Sequence, residues 1–550
     1  MPPMLFSCCL IVIIFGCLYI PILYNHFRKI KVITVESSRR MIQIYQQAPG
    51  PFPWPIFGSL GLLASHKVPL QSFTELSKKF GNIYTLTLGS TRCIVVSNLE
   101  LIREVLNQNG KFFGGRPNFI RYHKLFGGDR NNSLALCDWS LLQKRRRNLA
   151  RRHCSPRNSS PYFEKMSKIG CSETDILMQQ LSEETNGGKP ILIKPIIQRT
   201  CANMFFRYMC SVRFEHDDRE FCKVVEFFDE IFWEINQGYI FDFLPWLAPF
   251  YRNYINKITH WSITIRCFIM NRIIKEREQF KNQSEDDFTD ALLKSLIEDM
   301  NVSRDTIIFM LEDFIGGHSA VGNLVMLTLM YLAKHRNVAK KIQLEADSIA
   351  TRERRTISFY DIDEMPYTMA TIFEVLRCSS SPIVPHVATE DTIISGYGVA
   401  KDTIVFINNY NLNHNKLFWK QPQHFQPERF LEQPCKKTGS KQVVSGPSSS
   451  AEILTGTSSE KPNESMLNRK NSSLPQIKKN IPFFLPFSIG KRTCIGQNLV
   501  RGFGFILIAN ILRQYDINYE DNATVHIKTG SIALTPKAIP LVLVNRNKIL

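Results

Sequence analysis

The stretch Phe487-Ser488-Ile489-Gly490-Lys491-Arg492-Thr493-Cys494-Ile495-Gly496, followed by a helical run from Gln497 to Leu512, decides the fold. A cysteine just ahead of a helix sits where unpaired backbone N–H groups point outward. Those donors and the helix dipole stabilise a thiolate. Gly490 permits a tight turn, and Gly496 lets the backbone come close to something large and flat. Arg492 adds a cation two residues from the sulfur. The loop therefore presents one thiolate to a metal macrocycle and a positive charge to its acidic edge. A lone cysteine is ordinarily a small buried hydrophobe, and most of the 14 cysteines are read that way. No Cys-x-x-Cys pair occurs, which excludes zinc ribbons and thioredoxin-type redox motifs.

Working outward, the chain has 550 residues, 44% apolar and 21% charged. That composition supports a large buried core and excludes disorder throughout. Lys and Arg number 68 against 49 for Asp and Glu, a net charge of +19. A surface so basic favours acidic partners and says nothing about fold.

Met4 to Tyr24 carries no charge. At a 1.5 Å rise the run spans about 30 Å, one bilayer core. Arg28, Lys29, Lys31, Arg39 and Arg40 follow it and no Lys or Arg precedes it. The positive-inside rule then leaves the rest of the chain in the cytosol. A cleaved signal peptide is the competing reading, but a basic n-region and a small-x-small cleavage site are lacking. Sequons at Asn131, Asn158, Asn301, Asn463, Asn471 and Asn522 stay unglycosylated in that orientation. Pro49, Pro51, Pro53 and Pro55 make a stiff, extended joint that cannot continue a helix. Phe52 and Trp54 suit docking of that joint on the body or the bilayer. The expected organisation is a membrane anchor over 1–26, a basic, proline-rich linker over 27–58 and a catalytic domain over 59–550.

Helical patterning dominates Phe73 to Thr356. Gly81–Val96 reads as strand–turn–strand around Gly89-Ser90, Glu390–Asn408 reads similarly, and Thr524–Val544 is β-like. The fold class is mostly α with small β-sheets (α+β), preceded by one transmembrane helix. Residues 432–480 are rich in Ser, Thr, Lys, Asn and Gly and read as a flexible insertion. Phe227–Tyr251 is aromatic, part core and part roof over an apolar substrate.

The pattern Phe-x-x-Gly-x-Arg-x-Cys-x-Gly resembles the heme-binding signature of the cytochrome P-450 superfamily, microsomal type. Further landmarks follow. Glu374-Val375-Leu376-Arg377 matches ExxR, and Pro427-Glu428-Arg429-Phe430 matches PERF, preceded by Trp419, Pro422 and Phe425. The resemblance covers about residues 49–550, apart from the insertion. It implies the cytochrome P-450 fold and heme b, its iron held by Cys494 within a loop that includes Phe487, Arg492 and Gly496. It also implies a structural ion triad of Glu374, Arg377 and Arg429, with His386 as a propionate ligand. Two departures stand out. The usual Trp-x-x-x-Arg is absent: Gln143 occupies the Arg position after Trp139, so Trp139 and Arg146 are the propionate candidates, with Arg145 as rival. The central helix reads Gly316-Gly317-His318-Ser319-Ala320, with Ser319 at the usual acid and Ala320 at the usual threonine. Gly316, Gly317 and Ser319 are the catalytic candidates, and His318 is read as a helix-packing residue.

The resemblance implies a monooxygenase using dioxygen and electrons from NADPH through NADPH-cytochrome P-450 reductase. It also implies a single-pass endoplasmic-reticulum protein with its catalytic domain cytosolic, in contact with the bilayer and no nucleic acid. Gly316–Met326, the block Gln143–Arg157 and the insertion look most similar to the spook/spookier group of insect enzymes. That similarity implies a sterol substrate and an early step of ecdysteroid (molting hormone) biosynthesis after 7-dehydrocholesterol. A reductase-independent thiolate-heme isomerase or dehydratase is an alternative motivated by Ser319-Ala320. A non-enzymatic heme-binding sensor is another.

Overall fold

Apolar and polar residues alternate from Ile30 onward. In the computed structural model this segment is an antiparallel hairpin, β1 (Ile30–Glu36) against β2 (Arg39–Tyr45), with Ile30 opposite Tyr45. The structure describes residues 29–36, 39–64, 68–158, 160–185, 189–279, 286–298, 302–432, 475–520, 530–535 and 539–546, with isolated positions at Gly16, Tyr19, Ile20, Tyr24 and Ile527. The expected transmembrane run therefore lies almost wholly outside the described residues. Part of the segment expected as a linker is folded onto the body. Ile30 and Val32 are buried, and a Cβ on Gly398 would lie 2.7 Å from that of Ile30. The proline-rich joint follows an edge strand: Thr85 N donates to Pro49 O at 2.8 Å, and Gly58 bridges Leu88. Phe52 and Trp54 remain exposed.

Helix α1 (Pro69–Phe80) leads into β3 (Ile83–Leu88) and β4 (Thr91–Val96), the strand–turn–strand expected from the sequence. Four helices relevant to the site follow: α2 (Leu141–Cys154), α3 (Pro161–Glu184), α4 (Ile193–Cys210) and α5 (Arg219–Ile235). Next come α6 (Arg252–Ile269), α7 (Arg304–Ile315), α8 (Gly317–Lys334), α9 (Arg336–Glu353) and α10 (Pro366–Ser379). Strand β5 (His386–Val387) precedes the second strand-like region, which holds β6 (Thr392–Ile394), β7 (Tyr397–Val399) and β8 (Ile404–Ile407). The chain ends with α11 (Gln497–Gln514), β9 (Tyr515–Asn518) and β10 (Val542–Asn545).

Helices α7 and α8 form one 31-residue rod with a break at Gly316. Its mean hydropathy of 1.3 would suit a membrane span, yet 83% of its apolar window is buried. A helix apolar all round and buried by protein is a core helix. It packs on α4, α11 and α10. The four-stranded sheet has the order β3-β4-β8-β5, with β4 and β8 parallel. This sheet holds His386, on β5, at the edge of the helical core.

Residues 433–474, the bulk of the expected insertion, lie outside the described residues. The rim of that segment is ordered by pairing: Leu431 bridges Ile477, Glu432 N donates to Gln476 O at 2.7 Å, and Lys478 N to Phe430 O at 2.8 Å.

Candidate heme-thiolate site

The Cys494 loop is built as its glycines require. Gly490 has φ +77°, and a Cβ there would lie 2.0 Å from Leu106 O. Any other residue would clash with backbone as well as strain its own. Cys494 N donates to Phe487 O at 2.9 Å, closing the loop ahead of α11. Burial pushes the Cys494 thiol up, while the Gly496 N–H and Arg147 pull it down. Cys494 is nonetheless exposed. A group both desolvated and exposed faces an interior void rather than bulk water. Beside it, a Cβ on Gly496 would meet nothing within 4 Å. Among the described residues no three His, Cys, Asp or Glu converge as a metal site.

Next to the loop lies a buried cluster of cations. Arg492 Nη2 donates to Ala135 O at 2.9 Å and Cys137 O at 2.8 Å. Arg116 reaches Val384 O at 2.9 Å, Pro385 O at 3.0 Å and Ala135 O at 3.1 Å. Arg147 Nη2 donates to Thr493 O. His386 Nδ1 donates to Phe113 O at 2.7 Å. Burial, with repulsion from Arg492, depresses Arg116 well below its ordinary range and Arg147 to about 10. Burial lowers Arg492 too. Burial and then Arg116 hold His386 well below the usual imidazole range. Arg492 Nε and Nη1, Arg147 Nε and His386 Nε2 are buried with no partner among the described residues. A buried donor left unsatisfied costs roughly 1–3 kcal/mol. Such a cluster fits a flat group with an anionic edge, which heme is.

Arg146 does not belong to this cluster. It turns to Asn131 O at 3.2 Å and Thr306 Oγ1 at 3.3 Å. The expectation counted helical turns from Trp139, but α2 begins only after Ser140, whose Oγ accepts from Gln143 N at 3.1 Å. Counted inside the helix, Gln143, Arg147, Ala150 and Cys154 share the buried face. Arg145 is exposed. Trp139 stays beside the loop, half-buried, with its N donating to Gly114 O at 3.0 Å and Lys491 Nζ 5.8 Å from its ring. Arg116 was missed by sequence reasoning, because nothing local marks it.

Glu374, Arg377 and Arg429 do converge. Arg377 grips Glu374 through two bonds of 2.7 and 2.8 Å, and Arg429 Nε lies 3.2 Å from Glu374 Oε1. Arg377 Nη1 also donates to Asn413 O at 2.7 Å.

At the break in the central rod, Ser319 N donates to Gly316 O at 3.2 Å, a tightened turn. Asp313, Gly316, Gly317 and Ala320 are partly exposed, whereas Phe314, Ile315, His318, Ser319 and Val321 are buried. Spacing of three, four and seven residues makes one helix face, and it is packed at both glycines: a Cβ on Gly316 would lie 3.2 Å from the Phe228 ring and one on Gly317 3.1 Å from the Phe205 ring. Ser319 lies off it, about 100° from Ala320, and its Oγ is 3.5 Å from His318 Nε2. His318 is a packing residue: Nδ1 donates to Ile315 O at 2.7 Å, its ring meets Phe228 edge-on, and burial lowers it to about 4. Of the aromatic stretch, Phe228 is buried against this turn, and Trp246 and Phe250 are exposed.

The comparisons with known proteins agree with this geometry. The family model for cytochrome P450 matches residues 48–543. Cytochrome P450 307a1 of Drosophila melanogaster is 58% identical over 94% of this chain and 92% of its own length. A steroid 17-alpha-hydroxylase/17,20 lyase of Cavia porcellus is 30% identical over 84% of this chain and 85% of its own. Cytochrome P450 1A5 of Gallus gallus is 29% identical over 86% and 84%. The family binds heme through a cysteine thiolate and receives NADPH-derived electrons through a reductase. The mostly helical body, the thiol in its interior void and the family match over most of the length lead to one conclusion: this chain belongs to the cytochrome P450 family and is a heme-thiolate monooxygenase.

Proposed function

We propose that the chain is a single-pass endoplasmic-reticulum monooxygenase that oxidises a sterol at an early step of ecdysteroid biosynthesis, after 7-dehydrocholesterol. The observation that carries the heme reading is the buried cationic cluster, with nitrogens that have no partner among the described residues, beside a desolvated thiol that faces a void. The substrate class is supported by the similarity to the spook/spookier group and by a steroid hydroxylase among the relatives. The uncharged Met4–Tyr24 run and the basic residues after it support the anchor.

Bound heme supplies the activation of dioxygen and the insertion of one oxygen atom. In this reading Cys494 would hold the heme iron through its thiolate. Arg116, Arg147 and Arg492 would neutralise the propionates, with Trp139 beside them. His386 Nδ1–H is committed to Phe113 O, so Nε2 donates to a carboxylate only as the imidazolium. His386 would take up that proton if a heme propionate lay at Nε2, since the anion would offset the burial that otherwise keeps the ring neutral. Phe487 and Gly496 shape the loop against the macrocycle, and Glu374, Arg377 and Arg429 lock the segment leading to it.

The test is reconstitution of the full chain with NADPH–cytochrome P450 reductase in vesicles containing 7-dehydrocholesterol, with products read by mass spectrometry. An oxidised sterol that needs both NADPH and dioxygen is expected. Product formed without NADPH would instead favour the isomerase or dehydratase reading, and NADPH consumption with no sterol product would overturn the substrate.

A further inference from the structure

Strand register sorts the β1–β2 hairpin into two faces. Ile30 stands opposite Tyr45 and Val32 opposite Gln43, whereas Lys31 stands opposite Ile44, Ile33 opposite Ile42 and Val35 opposite Arg40. Positions alternate between faces along a strand, so these two sets lie on opposite sides of the ribbon. The first side is seated on the body. Ile30 and Val32 are buried with Ala400, and Tyr45 and Ile393 pack against them. Gly398 N fixes the exit of β2 by donating to Gln46 O at 2.8 Å. On the second side Ile42 and Ile44 are 67% and 60% exposed, and Lys31 is exposed beside them. A hairpin with one face on a core ordinarily turns polar residues outward on the other. Here the outer side repeats β-branched apolar residues instead, and an apolar patch rimmed by cations marks a contact surface.

We infer that this outer side rests on the cytosolic leaflet of the bilayer, a second foot beside the anchor that holds the body at a fixed tilt. This rests on the single-pass reading. The uncharged run ends at Tyr24 and β1 begins at Ile30. At roughly 3.3–3.6 Å per residue that connection reaches about 20 Å at most, so the hairpin stays near the headgroups. Tyr19, inside the run, donates to Pro53 O at 3.3 Å. The proline-rich joint that continues from β2 therefore lies beside the run, on the same side of the body as the hairpin. Charge points the same way. Arg28, Lys29, Lys31, Arg39 and Arg40 face only one carboxylate, Glu36, between residues 28 and 45. Anionic headgroups attract such a segment within a Debye length, and the isoleucines supply apolar area for the boundary with the acyl chains. A second copy of this chain would bring the same cations to a two-fold contact, where like charges oppose each other. Because the inner side is seated on Ile393 and Ala400, the contact is transmitted to the body.

The test puts a reporter on the face. Ile42→Trp in the full-length holoenzyme, reconstituted in vesicles, is compared with Leu344→Trp, at an exposed leucine of α9. The wild type supplies the background from its own six tryptophans. Brominated phosphatidylcholine should remove most of the emission added by Ile42→Trp and none of that added by Leu344→Trp. Phosphatidylserine in the vesicles should deepen the quenching at low salt, and Lys31→Glu with Arg40→Glu should cancel that gain. Ile42→Ser with Ile44→Ser should keep heme content and thermal unfolding while loosening the angle of the heme to the membrane normal, read by polarised absorption of oriented bilayers. Equal quenching of the two reporters, or a heme angle unmoved by the serines, overturns the inference. So does shielding of Ile42→Trp that grows with protein density and not with brominated lipid, which would mean that a second copy covers the face. Flotation separates this inference from the reading beneath it. A chain that does not float with vesicles overturns both; one that floats with Ile42→Trp unquenched keeps the anchor and overturns the hairpin contact alone.

Discussion

Two clusters of buried arginines differ in their counter-charge. Around Glu374, Arg377 and Arg429 meet a carboxylate and a set of backbone carbonyls, and neither Glu374 nor Arg377 keeps a buried polar atom without a partner. Around Cys494, Arg116, Arg147 and Arg492 repel one another, and several of their nitrogens have no partner among the described residues. The first cluster is complete as the chain folds, so its role is architectural. The second, among the described residues, keeps buried nitrogens without a partner, as a site for an anionic group requires. Buried charge alone does not mark a ligand site; buried charge without its complement does.

Substitutions in the two clusters should therefore fail in different ways. The largest effect is at the thiolate itself. Cys494→Ala should abolish the reduced carbon-monoxide band of thiolate-ligated heme, since no second soft donor stands at that helix start; a spectrum like the wild type's would remove Cys494 from the site. Next is Glu374→Ala, which strands two guanidinium groups in the core. A loss of roughly 3–5 kcal/mol is expected, equal with and without heme, read by denaturant unfolding. A loss confined to the holoprotein would mean the triad senses the cofactor and the contrast is false. Third, Arg492→Met removes a cation whose Nε and Nη1 are buried with no partner among the described residues. Heme retention should fall about 10–100-fold, matching the roughly 1.5–3 kcal/mol of a charged hydrogen bond, while the apoprotein should be no less stable. An apoprotein destabilised as severely as Glu374→Ala would break the comparison. The smallest effect is expected from deleting residues 433–474, just past the triad. Heme content and the carbon-monoxide band should be retained, because Leu431 and Ile477 already pair across the gap; loss of heme would show that the segment supports the core.

The sequence reveals the complete cluster better than the incomplete one. Glu374 and Arg377 are three apart on one helix, and Arg429 belongs to a compact motif, so spacing suffices. The Cys494 loop is legible for the same reason, as is the β3–β4 hairpin around Gly89. The cationic cluster draws on a loop arginine, Arg116, a strand histidine, His386, and a helix whose start is set by Ser140 rather than Trp139. A one-residue shift in that start moves the inward residue from Arg146 to Arg147. The parallel pairing of β4 with β8 is equally silent, since parallel strands need a long connection that leaves no local signal.

The Leu431–Ile477 pairing has a practical side. Paired strands run 4.7–4.9 Å apart, so whatever the chain carries between these residues departs and returns through a doorway one strand-spacing wide. Doubling the length of such an excursion costs only about 0.6 kcal/mol in closure entropy. The site is thus a natural splice port. A fluorescent or affinity module whose own termini lie close together can be carried there, leaving both the heme loop and the N-terminal segment untouched, and the enzyme can then be followed in living cells without a tag at either end.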